Sequence, residues 1–340
     1  MLNTIYRLVS PRTFEECYED MDISKDVIIR PTHFSICHAD QRYYQGLRNP
    51  KILNQKLPMA LIHESIGIVV KDNTNTFKKD DKVVMIPNTP IEKDEIISEN
   101  YLKSSKFRSS GYDGFMQELV QMKKDRILKI PDNINLDVLS FTELISVAIH
   151  SINRFKKFSH ERKNKIGIWG DGNLSFILSL LLKIKFPNSE LYVFGKHSEK
   201  LNLFSFVKNT YLINEIPEDL TIDHAFECTG GVGCETSINQ IIDYIKPEGT
   251  ISLLGVSENK IPLNTRLILE KGLILFGSSR STKEDFEETL YFLSNNKKLV
   301  DYLENLVSNV IEVKTLKDIN KAFILDKESS FGKTIIHWNH

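Results

Sequence analysis

The chain has 340 residues, which suits two ordinary domains better than one large core. Hydrophobic residues at 41% and charged ones at 26% give a globular balance, and 44 basic against 45 acidic side chains leave a formal net charge of -1, so neither nucleic acid nor a membrane surface is an expected partner. No apolar run reaches the roughly 18–20 residues that cross a bilayer, the first residues lack a secretory apolar stretch, and Cys17, Cys37, Cys228 and Cys234 form no paired framework, which together predict a cytoplasmic protein.

Up to residue 148, short strand-like runs at 27–29, 66–70, 83–86 and 115–120 sit between Pro, Gly, Asn and Asp signals. They predict an irregular β-rich domain. From residue 149 strands and helices alternate: a strand at 166–169, a helix at 174–186, a strand at 191–194 and a helix at 199–207. A strand at 222–228, a helix at 237–245 and a strand at 250–256 continue the series. That alternation predicts an α/β doubly wound parallel sheet over 149–281. Residues 269–278 read as its edge strand, which needs a cover. Pairing with a second copy of the chain would supply one and make at least a homodimer; the C-terminal helices are the other possible cover. The tail from Phe286 carries an amphipathic helix, another near 316–324 and a last strand at 333–338, and 282–340 is expected to rejoin the first domain.

A glycine-rich turn, Gly170-Asp171-Gly172-Asn173-Leu174-Ser175, joins the strand at 166–169 to the helix that follows. Gly170 permits the tight turn and Gly172 lets the backbone approach a pyrophosphate at the helix start, beside Asn173 and Leu174; Ser175 replaces the third glycine of the fingerprint. The next strand runs into Gly195-Lys196-His197 with no Asp or Glu at its end. A missing carboxylate removes repulsion toward a 2′-phosphate and Lys196 adds a cation, so NADPH is expected over NADH. A Gly195→Asp exchange would then move the preference toward NADH.

Three distant segments carry metal-type donors: Cys37 in Ser35-Ile36-Cys37-His38-Ala39-Asp40, His63 and Glu64 in Ile62-His63-Glu64-Ser65, and Glu143 in Phe141-Thr142-Glu143-Leu144. Singly each has an ordinary role: a buried thiol, a surface hydrogen bond, a solvated helix face. Together they change meaning, because Glu143 sits among apolar residues where an unpaired carboxylate is costly and a cation would relieve it. One sulfur, one imidazole and a carboxylate with an open fourth position suit a catalytic zinc ion.

In this order, ahead of the glycine-rich turn, the segments resemble the zinc-containing medium-chain dehydrogenases. Asp223-His224-Ala225-Phe226-Glu227-Cys228-Thr229-Gly230-Gly231 and Lys246-Pro247-Glu248-Gly249-Thr250-Ile251 extend the likeness through the nucleotide domain. A closer resemblance, to the ribulose-5-phosphate reductases (ribitol-5-phosphate dehydrogenases), rests on residues 37–44, Gln55-Lys56-Leu57-Pro58-Met59, Ser109-Ser110-Gly111-Tyr112-Asp113-Gly114-Phe115-Met116 and Gly277-Ser278-Ser279-Arg280-Ser281. The resemblance implies a GroES-like catalytic domain and a Rossmann domain, with Cys37, His63 and Glu143 as zinc ligands and Glu64 as fourth ligand or exchange partner. Asp40 would orient His63, and Thr229 and Gly255 would join the cofactor contacts. It further implies hydride transfer from NADPH to D-ribulose 5-phosphate, and a cytidylyltransferase partner that makes CDP-ribitol for teichoic acid or capsule.

Two departures qualify the likeness. No cysteine lies between Cys37 and Cys228, so the four-cysteine structural zinc lobe is absent and one catalytic zinc is expected. Ala39 replaces the hydroxyl that often starts the proton relay, leaving His38, Tyr43 or water. Arg280, Arg42 and Arg48 are the candidates for the substrate phosphate, since guanidinium forks match phosphate. The alternatives are an NAD-dependent zinc polyol dehydrogenase and a metal-free nucleotide-binding protein of the same fold.

Overall fold

Short runs with one apolar face become stable only by sharing a core, and the computed structural model, which describes residues 1–131 and 133–339, gathers them into two units. The first comprises Met1–Ser146 and Ser281–His340, the second Val147–Arg280.

In the first unit the main sheet runs in the order Ile127–Lys129, Lys82–Met85, Glu64–Asp72, Val27–Ser35, Lys333–Trp338 and Val307–Val313. All neighbours are antiparallel except the last pair, which is parallel. Its apolar face meets a core that includes Leu8, Phe34, Leu61, Phe115 and Phe323. The C-terminal strand lies between the Val27–Ser35 strand and Val307–Val313, so the tail completes this sheet.

The second unit is a six-stranded parallel sheet in the order Asn209–Leu212, Glu190–Gly195, Lys165–Trp169, His224–Glu227, Thr250–Leu253 and Ile274–Gly277. Numbered along the chain this is 3-2-1-4-5-6, the doubly wound order that opens a crevice between strands 1 and 4. The α/β class expected from the sequence is the one observed.

Several elements differ from expectation. Leu2–Ser10 and Thr13–Asp20 form a hairpin whose second strand is mostly exposed, so its sequence carries little apolar alternation. The run at 115–120 is not a strand at its start: the N–H groups of Gly114 and Phe115 are taken by the carbonyls of Ala60 and Ile62. The helix expected at 199–207 stops after Ser198–Leu201, because Phe204 and Phe206 turn back onto Phe176. The edge strand is shorter than 269–278. Gly272 adopts a left-handed conformation (φ 59°) that ends the Thr265–Lys271 helix, and only Ile274–Gly277 pairs. Ahead of the Leu316–Glu328 helix the tail has two helices, Lys283–Asn295 and Lys297–Glu304, where one was expected.

Candidate active site

Strand register brings the donors together. Ser35 pairs with Glu64, so Cys37, just past one strand, and His63, just before the next, come together at the same end of the sheet. Sγ of Cys37, a ring nitrogen of His63 and a carboxylate oxygen of Glu64 lie within 4.8 Å of one another. Glu143, in the first turn of the Thr142–Phe158 helix, is outside that group of three but buried close enough for His63 and Glu64 to act on its charge.

The loop that aims His63 is held from two sides. Ile62 has φ 72°, a strained conformation for a β-branched residue. Its N–H donates to Asp40 Oδ1 at 3.0 Å, and its carbonyl accepts from Phe115 N–H at 2.8 Å. A Cβ on Gly114 would stand 2.2 Å from the Leu61 carbonyl oxygen and 2.3 Å from that of Ile62, so no other residue fits. Asp40, fully buried, also accepts from Ser109 Oγ at 2.6 Å and from the Cys37 N–H at 3.3 Å, and its Oδ2 lies 3.4 Å from His63 Nδ1. That contact turns the other imidazole nitrogen toward the donors.

Sequence reading missed Lys333. It starts the C-terminal strand and is 3% exposed. Its ammonium donates to the Ile36 carbonyl at 2.8 Å and to Glu64 Oε1 at 2.9 Å, and lies 2.9 Å from Oε2. Only Oε1 meets it with hydrogen-bond geometry, which leaves Oε2 buried without a donor. A lysine 269 residues from its partner gives no local signal.

Burial dominates the ionisation of the cluster. It pushes the Glu143 carboxyl up to about 7, with Glu64 adding and His63 and Lys333 opposing, and raises the Cys37 thiol, with His63 opposing. Burial also disfavours charge on His63, but Asp40 and Cys37 more than reverse it and hold its pKa well above the ordinary imidazole value. A thiol and a carboxyl kept from ionising, with an orphaned carboxylate oxygen beside them, form a pocket short of positive charge. A zinc ion fits it: Cys37, His63 and Glu143 or Glu64 supply sulfur, nitrogen and oxygen donors of the usual kind. Among the described residues the four cysteines are free thiols.

The other expected residues of the first unit lie close by in sequence. His38 is exposed beside Cys37. Tyr43 is 1% exposed, with the Arg48 guanidinium 4.7 Å above its ring, as a wall residue would be. Burial and the neighbouring Arg48 both lower the pKa of Arg42, so the two guanidinium groups share one neighbourhood.

In the second unit the expected cofactor residues line the carboxyl ends of the parallel strands. Gly170 has φ 129°, and a Cβ there would meet Ser175 Oγ at 2.7 Å and the Cys228 backbone at 3.1 Å. Gly172 starts the Asn173–Lys185 helix with open space where its Cβ would be, as a close-approaching pyrophosphate requires. Thr229 and Gly255 are fixed by a residue the sequence reading overlooked. Fully buried Glu227 accepts the N–H groups of Thr229 at 2.8 Å, Gly230 at 3.0 Å and Gly255 at 3.0 Å. An acid ending a buried strand next to two glycines was the available clue.

One inference needs correction. The end of the Glu190–Gly195 strand does carry an acid, supplied by the glycine-rich turn: Asp171 Oδ2 accepts from the N–H groups of Lys196 (2.8 Å) and His197 (2.9 Å) and lies 2.9 Å from His197 Nδ1. Three N–H groups converge on that oxygen, which blunts its repulsion of a phosphate, while the exposed Lys196 keeps its cation. The Gly195→Asp exchange is ruled out as a test, because its Cβ would lie 2.6 Å from that of Asp171. Arg280, the remaining phosphate candidate, is the last residue of this unit and has φ 58°.

Residues 24–132 match the alcohol dehydrogenase GroES-like domain, and residues 205–295 match the zinc-binding dehydrogenase domain. Fold, donor set and nucleotide turn therefore define a zinc-binding dehydrogenase. Ribulose-5-phosphate reductase from Bacillus spizizenii and ribulose-5-phosphate reductase 1 from Staphylococcus aureus are each 54% identical over 339 residues, covering 99% of both chains. The crystal structure of S. aureus TarJ in complex with NADPH superposes with a TM-score of 0.90 at 48% identity, covering 100% of both chains. The chain belongs to the ribulose-5-phosphate reductase family.

Proposed function

We propose that the chain reduces D-ribulose 5-phosphate to D-ribitol 5-phosphate, with NADPH as hydride donor and a zinc ion at the Cys37 cluster. The observation that carries this reading is the convergence of Cys37, His63 and Glu64 within 4.8 Å, beside Glu143, in a chain 54% identical to reductases of that name. The TarJ complex supports NADPH as the cofactor.

When bound, zinc supplies Lewis acidity and NADPH the hydride. Asp40 orients His63, and Lys333 balances the charge of Glu64. The remaining thiolate and one carboxylate would then neutralise a divalent ion without over-neutralising it, so Glu143 would be its carboxylate ligand and Glu64 an exchange partner. Arg42 and Arg48 bind the substrate phosphate, and Arg280 is the candidate that the second unit offers for that role. With Ala39 lacking a hydroxyl, the exposed His38 exchanges the proton with solvent, and Tyr43 serves as pocket wall. Lys196 and His197 hold the 2′-phosphate end of the cofactor, and Gly170, Gly172, Asn173, Leu174, Gly195, Thr229 and Gly255 hold the rest.

Among the described residues no helix is long and apolar enough to cross a membrane, in keeping with work in the cytoplasm. The short edge strand Ile274–Gly277, with Leu269 80% exposed beside it, supports at least a homodimer. The product would pass to a cytidylyltransferase for CDP-ribitol, in teichoic acid or capsule synthesis.

The test is turnover of ribulose 5-phosphate with NADPH by the purified protein, alongside NADH, sorbitol and measured zinc content. Rapid turnover only with NADPH and the phosphosugar, tracking zinc, is expected. Preference for NAD and sorbitol would overturn the reading.

A further inference from the structure

A second group of metal-type donors lies in the first unit, apart from the Cys37 cluster. Strand register assembles it: His337 pairs with His33 across antiparallel strands and with Glu312 across the parallel pair. The register slips between Pro31 and His33, and such a bulge re-aims the side chain that follows it. Asp137 joins from the Leu136–Ser140 helix.

His337 Nε2 lies 2.7 Å from Asp137 Oδ1 and His33 Nε2 lies 4.0 Å from the same oxygen, with the two ring centroids 4.6 Å apart. The outer nitrogens are both occupied. His337 Nδ1 is 3.0 Å from Glu312 Oε1, and His33 Nδ1 is 3.0 Å from Thr32 Oγ1. An oxygen fixing each Nδ1 while both Nε2 atoms face one carboxylate is the arrangement found around metal-ligating histidines.

We propose that His33, His337 and Asp137 hold a second divalent cation of the zinc class. Two imidazoles and a carboxylate favour zinc and its transition-metal neighbours over magnesium or calcium, which prefer all-oxygen sites. The side chains of His33, Asp137 and His337 are 16%, 21% and 28% exposed, which leaves an approach and room for water as the fourth ligand. Binding replaces the proton on His337 Nε2, which leaves to solvent, and exchanges the His337–Asp137 hydrogen bond for coordinate bonds from both Nε2 atoms and the Asp137 carboxylate. Ligands about 2.0–2.1 Å from a tetrahedral ion stand about 3.4 Å apart. His337 and Asp137 therefore separate, and His33 closes, by roughly 0.6–0.7 Å each, within reach of small side-chain rotations. The ion staples the Leu136–Ser140 helix to two adjacent strands and raises the zinc count to two per chain, where the missing cysteine lobe had suggested one.

The test equilibrates the untagged, full-length enzyme with buffered free Zn²⁺ and counts zinc per chain by mass spectrometry. Two ions are expected in the parent, one in His33→Asn and in His337→Asn with reductase turnover kept, and one in Cys37→Ser with turnover lost. Glu312→Gln, which meets the site only at the outer nitrogen of His337, is expected to weaken zinc there by about tenfold or more. Asp137→Asn, nearly isosteric, must also fall to one ion and covers the case of a histidine variant that fails to fold. A single ion in the parent, or two ions retained in the folded His33, His337 or Asp137 variants, overturns the proposal.

Discussion

Replacing Lys333 with methionine keeps the stem that fills its buried slot and removes only the charge. The ammonium is 3% exposed and sits on the fully buried Glu64 carboxylate and the Ile36 carbonyl. Without it Glu64 is an unpaired buried charge, a change that costs about 3–5 kcal/mol. At about 2–4 °C per kcal/mol for a unit of this size, the melting temperature should fall by about 6–20 °C. The assay is scanning calorimetry of zinc-stripped protein, parent against variant. Zinc gives Glu64 another counter-charge, so the loss should shrink when the metal is restored. Glu64→Gln in the Lys333→Met background should recover at least half of it. A zinc-free Lys333→Met protein within about 1 kcal/mol of its parent would refute the reasoning, since the pair would then carry no buried charge worth balancing.

Cys37→Ser should lose the zinc of its own cluster and turnover together, checked by metal analysis and the NADPH assay, whereas Arg42→Ala or Arg48→Ala should raise KM for the phosphosugar about tenfold or more and spare zinc. Gly114→Ala forces a Cβ into two backbone oxygens and should displace the His63 loop, read as loss of the Cys37-cluster zinc in protein that still binds NADPH. His224 is held neutral: its Nδ1 accepts from Thr250 N–H at 3.2 Å, and its Nε2 lies 3.0 Å from the Arg162 carbonyl, to which it donates. Burial, with His160 adding, lowers its pKa to about 4. Below its ordinary value near 6.5 the unfolded chain takes up the proton first. The stability present above that value is therefore lost as pH falls toward 4, by about 2 kcal/mol at pH 5. Denaturation midpoints at pH 7.5 and 5 should diverge less in His224→Gln than in the parent.

Local chemistry was enough to read the nucleotide unit. The alternation of strands and helices and the Gly170–Gly172 turn are contained within tens of residues, and a parallel sheet buried on both faces writes itself as apolar runs. Cys37, His63, Glu64 and Glu143 were recognisable too, because a carboxylate in an apolar helix needs an explanation wherever its partner lies. Tertiary structure alone decided the rest. Lys333 meets Glu64, and His337 meets His33, only through the register of strands about 270–300 residues apart. Asp171 reaches the end of the next strand only once the sheet has formed. Side-chain type and spacing fix what a segment can do along its own length; which charges share one buried space depends on how distant strands align, and burial makes that choice energetically decisive.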